Sequence, residues 1–141
     1  MKALVIGGTG PTGPYLINGL ISLGYQVSMM HRGTHDSDEI PVTVPRIIGD
    51  PHFHETLTEA LSGRRFDLII ATYGRIRYVA EIAGDHCERL ITVGGAPCYR
   101  GMIQPELLSP VGMPIPLHED AEKVPDIDEF RFGYLVRISE E

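Results

Sequence analysis

Five short apolar runs mark the chain as far as residue 93: Ala3-Leu4-Val5-Ile6, Gln26-Val27-Ser28-Met29-Met30-His31, Arg46-Ile47-Ile48-Gly49, Phe66-Asp67-Leu68-Ile69-Ile70-Ala71 and Arg89-Leu90-Ile91-Thr92-Val93. They are continuous rather than alternating, the pattern of strands covered on both faces of a parallel sheet. Helical spacing fills the gaps. Leu16, Ile17, Leu20, Ile21 and Leu23 form one predicted face, with Pro14 in its first turn and Gly24 as its stop. Gly13 and Gly19 carry no side chain and so let this helix approach the sheet. Phe53, Leu57, Ala60 and Leu61 predict a second helix, ending at Gly63, and Ile76, Val79, Ala80 and Ala83 a third. The segment 32–45 is polar and broken by prolines, hence a predicted loop. Alternating strands and helices imply a doubly wound α/β domain. Right-handed crossovers then favour the strand order 3-2-1-4-5.

The first strand runs directly into Gly7-Gly8-Thr9-Gly10-Pro11-Thr12-Gly13. The spacing fits G-x-G-x-x-G through Gly8, Gly10 and Gly13, and equally G-x-x-G-x-x-G through Gly7, Gly10 and Gly13. Between a strand and a helix, either is the fingerprint of a turn whose backbone amides hold a pyrophosphate at the helix N-terminus, as in Rossmann dinucleotide-binding domains. At the end of the second strand such domains use an acidic residue for the ribose hydroxyls. His31 stands there, followed by Arg32. A guanidinium binds a 2′-phosphate where a carboxylate would repel it, so NADP is the expected cofactor, with NAD second. The alternative for Arg32 is an exposed loop arginine. His31 either stacks beside the adenine or caps its strand.

Composition narrows the partners. The net charge of −7 argues against nucleic acid. Most of the imbalance lies in residues 117–141, read as a solvated acidic surface. No apolar run reaches the roughly 18 residues of a membrane helix, and the chain starts on a strand, so a cytoplasmic protein is expected. Cys87 and Cys98 make neither a metal set nor a disulfide framework, and the histidines lack ligand spacing, so no metal is expected. The expected partner is a small-molecule substrate, with a homodimer allowed.

From Gly94 to Leu117 five prolines and four glycines fall in 24 residues. A connection of that length is functional or disordered. Residues 1–117 are thus read as the dinucleotide-binding domain. Residues 118–141 form an acidic segment that begins a helix with Phe130, Tyr134 and Ile138 on one face, and this helix runs into the terminus as if the domain were incomplete.

The glycine turn resembles the nucleotide-binding signature of the extended short-chain dehydrogenase/reductases, also called the NAD-dependent epimerase/dehydratase family. The resemblance continues at Gly49-Asp50, at Ala71-Thr72-Tyr73-Gly74 and at Val93-Gly94-Gly95 with Tyr99. It implies a Rossmann fold without the C-terminal lobe that holds most of the substrate pocket. It also implies NAD or NADP as cofactor, and oxidoreductase or epimerase chemistry on sugar-type or carbonyl and alcohol substrates. Asp50 would lie near the adenine, with capping of the following helix as its other reading. Ala71, Thr72 and Tyr73 would border the cofactor.

The catalytic set departs from the family. Gly95 stands where the serine is expected. Tyr134 is the one tyrosine in the region of the catalytic helix, and Ile138 occupies the lysine position. A shift of one residue gives Gly133 and Arg137, which is no better. Tyr134 is therefore the single catalytic candidate, with an expected pKa near the unperturbed value of about 10. Three readings follow: an NADP-dependent oxidoreductase or epimerase, a non-catalytic dinucleotide sensor, and a Rossmann interaction module without cofactor.

Overall fold

The structure, a computed structural model, describes residues 1–34, 36–107, 111 and 116–140. Strands β1 (Lys2–Ile6), β2 (Gln26–His31), β3 (Arg46–Ile48), β4 (Phe66–Ala71) and β5 (Cys87–Thr92) form one parallel sheet in the order β3-β2-β1-β4-β5. This is the Rossmann order expected from the sequence. β1 is central: Val5 pairs with Met29 of β2 on one side and Ile70 of β4 on the other.

The two-residue period of the strands divides the core. Leu4, Ile6, Met30, Ile47 and Ile69 face α2 (His54–Leu61) and α3 (Ile76–Ala83), which contribute Leu57, Leu61, Val79 and Ile82. Ala3, Val5, Val27, Met29, Leu68 and Ile70 form the opposite core with Ile17 and Leu20 of α1 (Gly13–Ser22). Both faces of β1 are thus apolar, which is why it reads as a run.

Several local expectations are corrected. The buried stripe of α1 is narrower than its spacing suggests, leaving Ile21 39% and Leu23 74% exposed. Gly13 provides a close approach, to Gly8 in the turn after β1 rather than to the sheet itself, whereas a Cβ on Gly19 would meet nothing within 4 Å. Phe53 is exposed, and Ile82, rather than Ala80, completes the face of α3. The loop over 32–45 is anchored: Ile40 and Val44 are buried in the α1-side core. β5 begins earlier than predicted, at Cys87, and as an edge strand leaves Glu88, Arg89, Ile91 and Thr92 exposed.

The chain divides into two compact units, Met1–Val93 and Gly94–Glu141. This boundary falls where β5 ends, earlier than the division after residue 117 drawn from the sequence. The second unit is not one long loop. Its described residues include a 3-10 turn at Ala96–Cys98, α4 (Arg100–Ile103), further turns at Pro105–Leu107 and Asp128–Phe130, and α5 (Arg131–Glu140). Cys98, Val124 and Phe130 are buried within it. The Val124 amide donates to the Cys98 carbonyl at 2.9 Å. Among the described residues no helix is long and apolar enough to cross a membrane.

Candidate functional site

The site is built where β1 turns into α1. Gly7 has φ of +92°, and a Cβ there would lie 2.4 Å from the Tyr73 Cβ. No other residue adopts this turn without strain. At Gly13 a Cβ would sit 1.8 Å from the Gly8 carbonyl oxygen, so glycine is required for the helix start to pack on the turn. Gly8 differs: its φ is not left-handed, and a Cβ would meet the movable end of Ile17 at 2.8 Å. The backbone therefore requires glycine at 7 and 13 and not at 8, which selects the spacing that begins at Gly7. Gly10 is the informative member. A Cβ there would meet protein no nearer than 3.7 Å, and its φ is not left-handed. The fold does not need this glycine, and its backbone lies open to the cleft.

The turn is clamped from both neighbouring strands. The Gly7 amide donates to the Met30 carbonyl at 3.0 Å, and the Thr72 amide donates to the Ile6 carbonyl at 3.0 Å. The Thr72 hydroxyl adds contacts to the Ile6 and Gly7 carbonyls at 3.3 and 3.4 Å. Thr12 is the N-cap of α1, yet its side chain makes no cap hydrogen bond. The first turn thus keeps its positive dipole end without a side-chain acceptor. Pro11 has no amide, so donors come from its neighbours.

Above the turn lies a cleft of about 240 Å³ lined by Gly7, Thr9, Gly10, Pro11, Thr12, Met30, His31, Arg32, Thr34, Pro51, Thr72 and Tyr73. Nine of the expected cofactor residues meet here: Gly7, Thr9, Gly10, Pro11, Thr12, His31, Arg32, Thr72 and Tyr73. Gly8, Gly13 and Ala71 are buried beneath it and shape it without lining it. Ala71 is wholly inside the sheet, and its carbonyl accepts from the Val93 amide at 2.9 Å.

His31 is 9% exposed. The Gly33 amide donates to its Nδ1 at 3.2 Å. Nδ1 is thus an acceptor, and in the neutral ring Nε2 carries the proton. Nε2 is buried and has no partner among the described residues. His31 therefore ends β2 with a donor that the protein leaves unsatisfied, at a cost of about 1–3 kcal/mol. Arg32 is exposed, and its guanidinium lies 5.3 Å from the centre of the Tyr73 ring. Because β2 and β4 flank β1, this contact passes over the end of β1.

Asp50 stands just outside the cleft. Its Oδ1 accepts from the His52 amide at 3.0 Å and meets the His52 Nδ1 at 2.9 Å. It organises the turn before α2 and is not the N-cap of that helix, a position held by Phe53. Partial burial pushes its carboxyl up. The His52 amide, the His52 ring and the Arg32 charge outweigh that and leave it below the ordinary value. The His52 ring stands edge-on to Tyr73 with centroids 4.7 Å apart. Arg32, Tyr73, His52 and Asp50 thus form a continuous chain of contacts at the mouth.

Sequence reading missed His52, weighing it only as a metal ligand. The available signal was its position two residues after Asp50, the spacing of an Asx turn. It also missed Arg46. This side chain bonds Asp36 at 3.0 Å through Nε and the Pro41 carbonyl at 2.9 Å. It thereby holds the loop that carries Arg32 and Thr34.

Tyr134 belongs to the second unit, on α5. Its surroundings correct the expectation of an unperturbed phenol without a nearby cation. Arg131 lies 5.8 Å from the ring centre. Asp126 beside the hydroxyl nevertheless dominates and raises the pKa above 10.0, against smaller lowering by Arg131 and Arg137. That direction is opposite to what a proton donor at neutral pH needs. At Gly95, where a serine would be expected, a Cβ would meet Val136 at 3.1 Å and Pro97 at 3.3 Å. Among the described residues no group of three or more His, Cys, Asp or Glu could hold a metal ion.

No protein-family model matches the chain, and no curated protein matches it. Solved structures do. The enzyme WbmG of Bordetella bronchiseptica, in complex with NAD, matches with a TM-score of 0.71 and 18% identity, over 99% of this chain and 48% of that one. A UDP-galactose 4-epimerase matches at 0.68 and 17%, over 99% of this chain and 49% of that one. The epimerase Mth375 of Methanothermobacter thermautotrophicus matches at 0.66 and 18%, over 96% and 44%. The chain spans about half the length of these structures. At such identities the likeness establishes a shared fold.

Proposed function

We propose that this chain is the cofactor-binding part of an oxidoreductase or epimerase of the NAD-dependent epimerase/dehydratase type. NADP is its favoured cofactor and NAD the second. Its substrate is a carbonyl, alcohol or sugar-type small molecule. The observation that carries this reading is Gly10, a glycine that the fold leaves open and a pyrophosphate would need. The orphan donor of His31 and the uncapped first turn of α1 fit the same occupant. The similar fold of NAD-bound WbmG and of solved epimerases supports it. The Thr9 and Thr12 amides would hold the pyrophosphate, with Gly10 letting it approach and Gly13 shaping the turn beneath, since the Gly10 and Gly13 amides already donate to the Gly7 and Gly10 carbonyls, and His31 and Arg32 would take the adenosine ribose. Tyr73, with Asp50 and His52 behind it, would border the adenine end. When bound, the dinucleotide supplies a hydride acceptor or donor. The partners we expect are a small-molecule substrate and no nucleic acid or membrane, with a homodimer allowed, in a cytoplasmic setting.

A second reading is a dinucleotide sensor without catalysis. The observations favouring it are Gly95 in the serine position, Ile138 in the lysine position, and the raised pKa of Tyr134. Calorimetry with NADPH and NADH tests both readings: binding is expected, and its absence leaves a Rossmann interaction module. Stopped-flow absorbance of NADPH with ketones and aldehydes separates them. Residues 1–141 alone are expected not to oxidise it. Oxidation that disappears in Tyr134→Phe would show that this chain is catalytically complete.

A further inference from the structure

The parallel strands all begin at the end of the sheet opposite to the glycine turn, and basic residues gather there. Lys2 opens β1, Arg46 opens β3, and Arg64 and Arg65 immediately precede β4. The pairing of Lys2 with Gln26, and of Ala3 with Leu68, brings these strand ends together. Here lies a groove of about 680 Å³ with Lys2, Arg46, Arg64 and Arg65 in its walls. Four of its fifteen lining residues are basic and none is acidic, in a chain with 12 basic and 19 acidic residues. The positive charge is therefore gathered by the fold and not by composition.

Arg46 is committed to Asp36 and to the Pro41 and Val44 carbonyls. Lys2, Arg64 and Arg65 form no ion pair among the described residues. Arg65 reaches the Asp85 carbonyl at 3.4 Å, a long contact at an exposed position. Asp67 and Glu88 line a separate recess that Lys2 and Arg65 share, and the Asp67 carboxylate accepts from the backbone amide of Lys2. The C-terminal ends of α1 and α2 also reach the groove, through Ile21 and Gly63, and free helix carbonyls would repel an anion. Those carbonyls are taken: Leu20 and Ile21 accept from the Tyr25 and Gly24 amides, and Leu61 from the Arg64 amide. Tyr25, Ser28 and Thr43 add hydroxyls to the walls, and Val27, Ile47 and Phe66 are buried. The volume suits a small organic molecule rather than a single inorganic ion.

We propose that this groove binds a small organic anion carrying two or more negative charges, a phosphate ester or a polycarboxylate, with Lys2, Arg64 and Arg65 as its cationic donors. Guanidinium groups match both headgroups through paired hydrogen bonds. The site lies at the other end of the strands from the glycine turn and does not rest on the dinucleotide reading.

The test follows the backbone amides of 15N-labelled residues 1–141 by NMR during titration with phenyl phosphate and, in a second arm, with citrate, at constant ionic strength. Saturable shifts are expected at Gln26, Ser28, Thr43 and Arg65, and the tighter arm identifies the headgroup. Arg64→Gln/Arg65→Gln should weaken the tighter probe by about tenfold, since each exposed ion pair contributes up to about fivefold. Arg75→Gln/Arg77→Gln removes the same charge at and beside the start of α3 and should leave that affinity unchanged. All four positions are exposed, so both double variants should fold, which thermal melts check. Shifts that saturate in neither arm, or equal losses in the two double variants, overturn the site. Shifts confined to Thr9 and Thr12 overturn it too, and leave an anion at the glycine turn. Saturation in the groove without binding of NADPH or NADH supports the site and sinks the dinucleotide reading alone.

Discussion

The three required or candidate glycines of the turn make a sharp prediction, because the structure gives each a different reason to be glycine. Gly10→Ala places a methyl group no nearer than 3.7 Å to protein, at a backbone conformation open to alanine. Such a change stabilises by about 0.4–1 kcal/mol, chiefly by restricting the unfolded chain. For a domain of this size that is a rise in Tm of about 1–4 °C. On the dinucleotide reading proposed above, the same methyl group occupies the space that a pyrophosphate would enter. Loss of one charge-assisted backbone contact, about 2 kcal/mol, weakens binding about 30-fold. Gly13→Ala places its methyl 1.8 Å from the Gly8 carbonyl oxygen, a backbone clash that no side-chain rotation relieves. Overpacking of this kind costs about 1–3 kcal/mol or more, so a fall in Tm of several degrees is expected. Gly7→Ala combines a left-handed φ with a 2.4 Å approach to Tyr73 and should behave like Gly13→Ala. The assay pairs thermal melts followed by circular dichroism with NADPH calorimetry on the three variants. Unchanged affinity in Gly10→Ala would refute a phosphate at that glycine. A melt as low as that of Gly13→Ala would refute the steric reasoning.

Other expectations follow from charge. Arg32→Asp should weaken NADPH far more than NADH in paired titrations, since repulsion replaces a charge-assisted bond; equal losses would return Arg32 to the solvent. Arg46→Ala touches no proposed ligand atom but frees the loop from Asp36 and Pro41, so it should lower the NADPH-over-NADH preference in the same assay while the chain remains folded. The Arg46 guanidinium, with the Ser37 amide, holds Asp36 below its ordinary 3.8. A carboxyl depressed in this way stabilises above its unfolded value and ceases to do so as pH falls through the folded one. An NMR titration should therefore give Asp36 a midpoint under 3.8 that rises in Arg46→Ala. Tyr134, raised by Asp126, should remain protonated past pH 10 in an absorbance titration at 295 nm, and Asp126→Asn should bring its midpoint down.

What the sequence disclosed, and what it withheld, follows from the range of the forces. β1, β2 and β4 were legible because each is largely buried and apolar within its own few residues, β3 as a short apolar pair, and their order followed from crossover handedness. The edge position of β5 followed from the same order, but its start at Cys87 and its exposed residues did not. The glycine motif was legible as a motif, but two spacings fitted it. The choice of Gly7 over Gly8 depends on Tyr73, some sixty residues away. The loop over 32–45 reads as polar, yet Ile40 and Val44 are core residues there, their helical spacing interrupted by Pro41 and followed by Pro45. The cluster at the mouth joins residues after β2, β3 and β4, which only the sheet order brings together. His31 was noticed for its place, while its orphan nitrogen depends on a hydrogen bond from Gly33 that no sequence pattern announces.

The clamping of the turn between β2 and β4 has a kinetic and entropic side. Gly7 bonded to Met30, Thr72 to Ile6, Gly10 to Gly7 and Gly13 to Gly10 leave the loop its final shape before any ligand arrives. Ordering a flexible segment would cost about 1–2 kcal/mol per residue at the moment of association. Here that ordering is completed when the sheet forms. Capture of a phosphate at this turn should thus be a single-step encounter, linear in ligand concentration, with no rearrangement phase to saturate the observed rate.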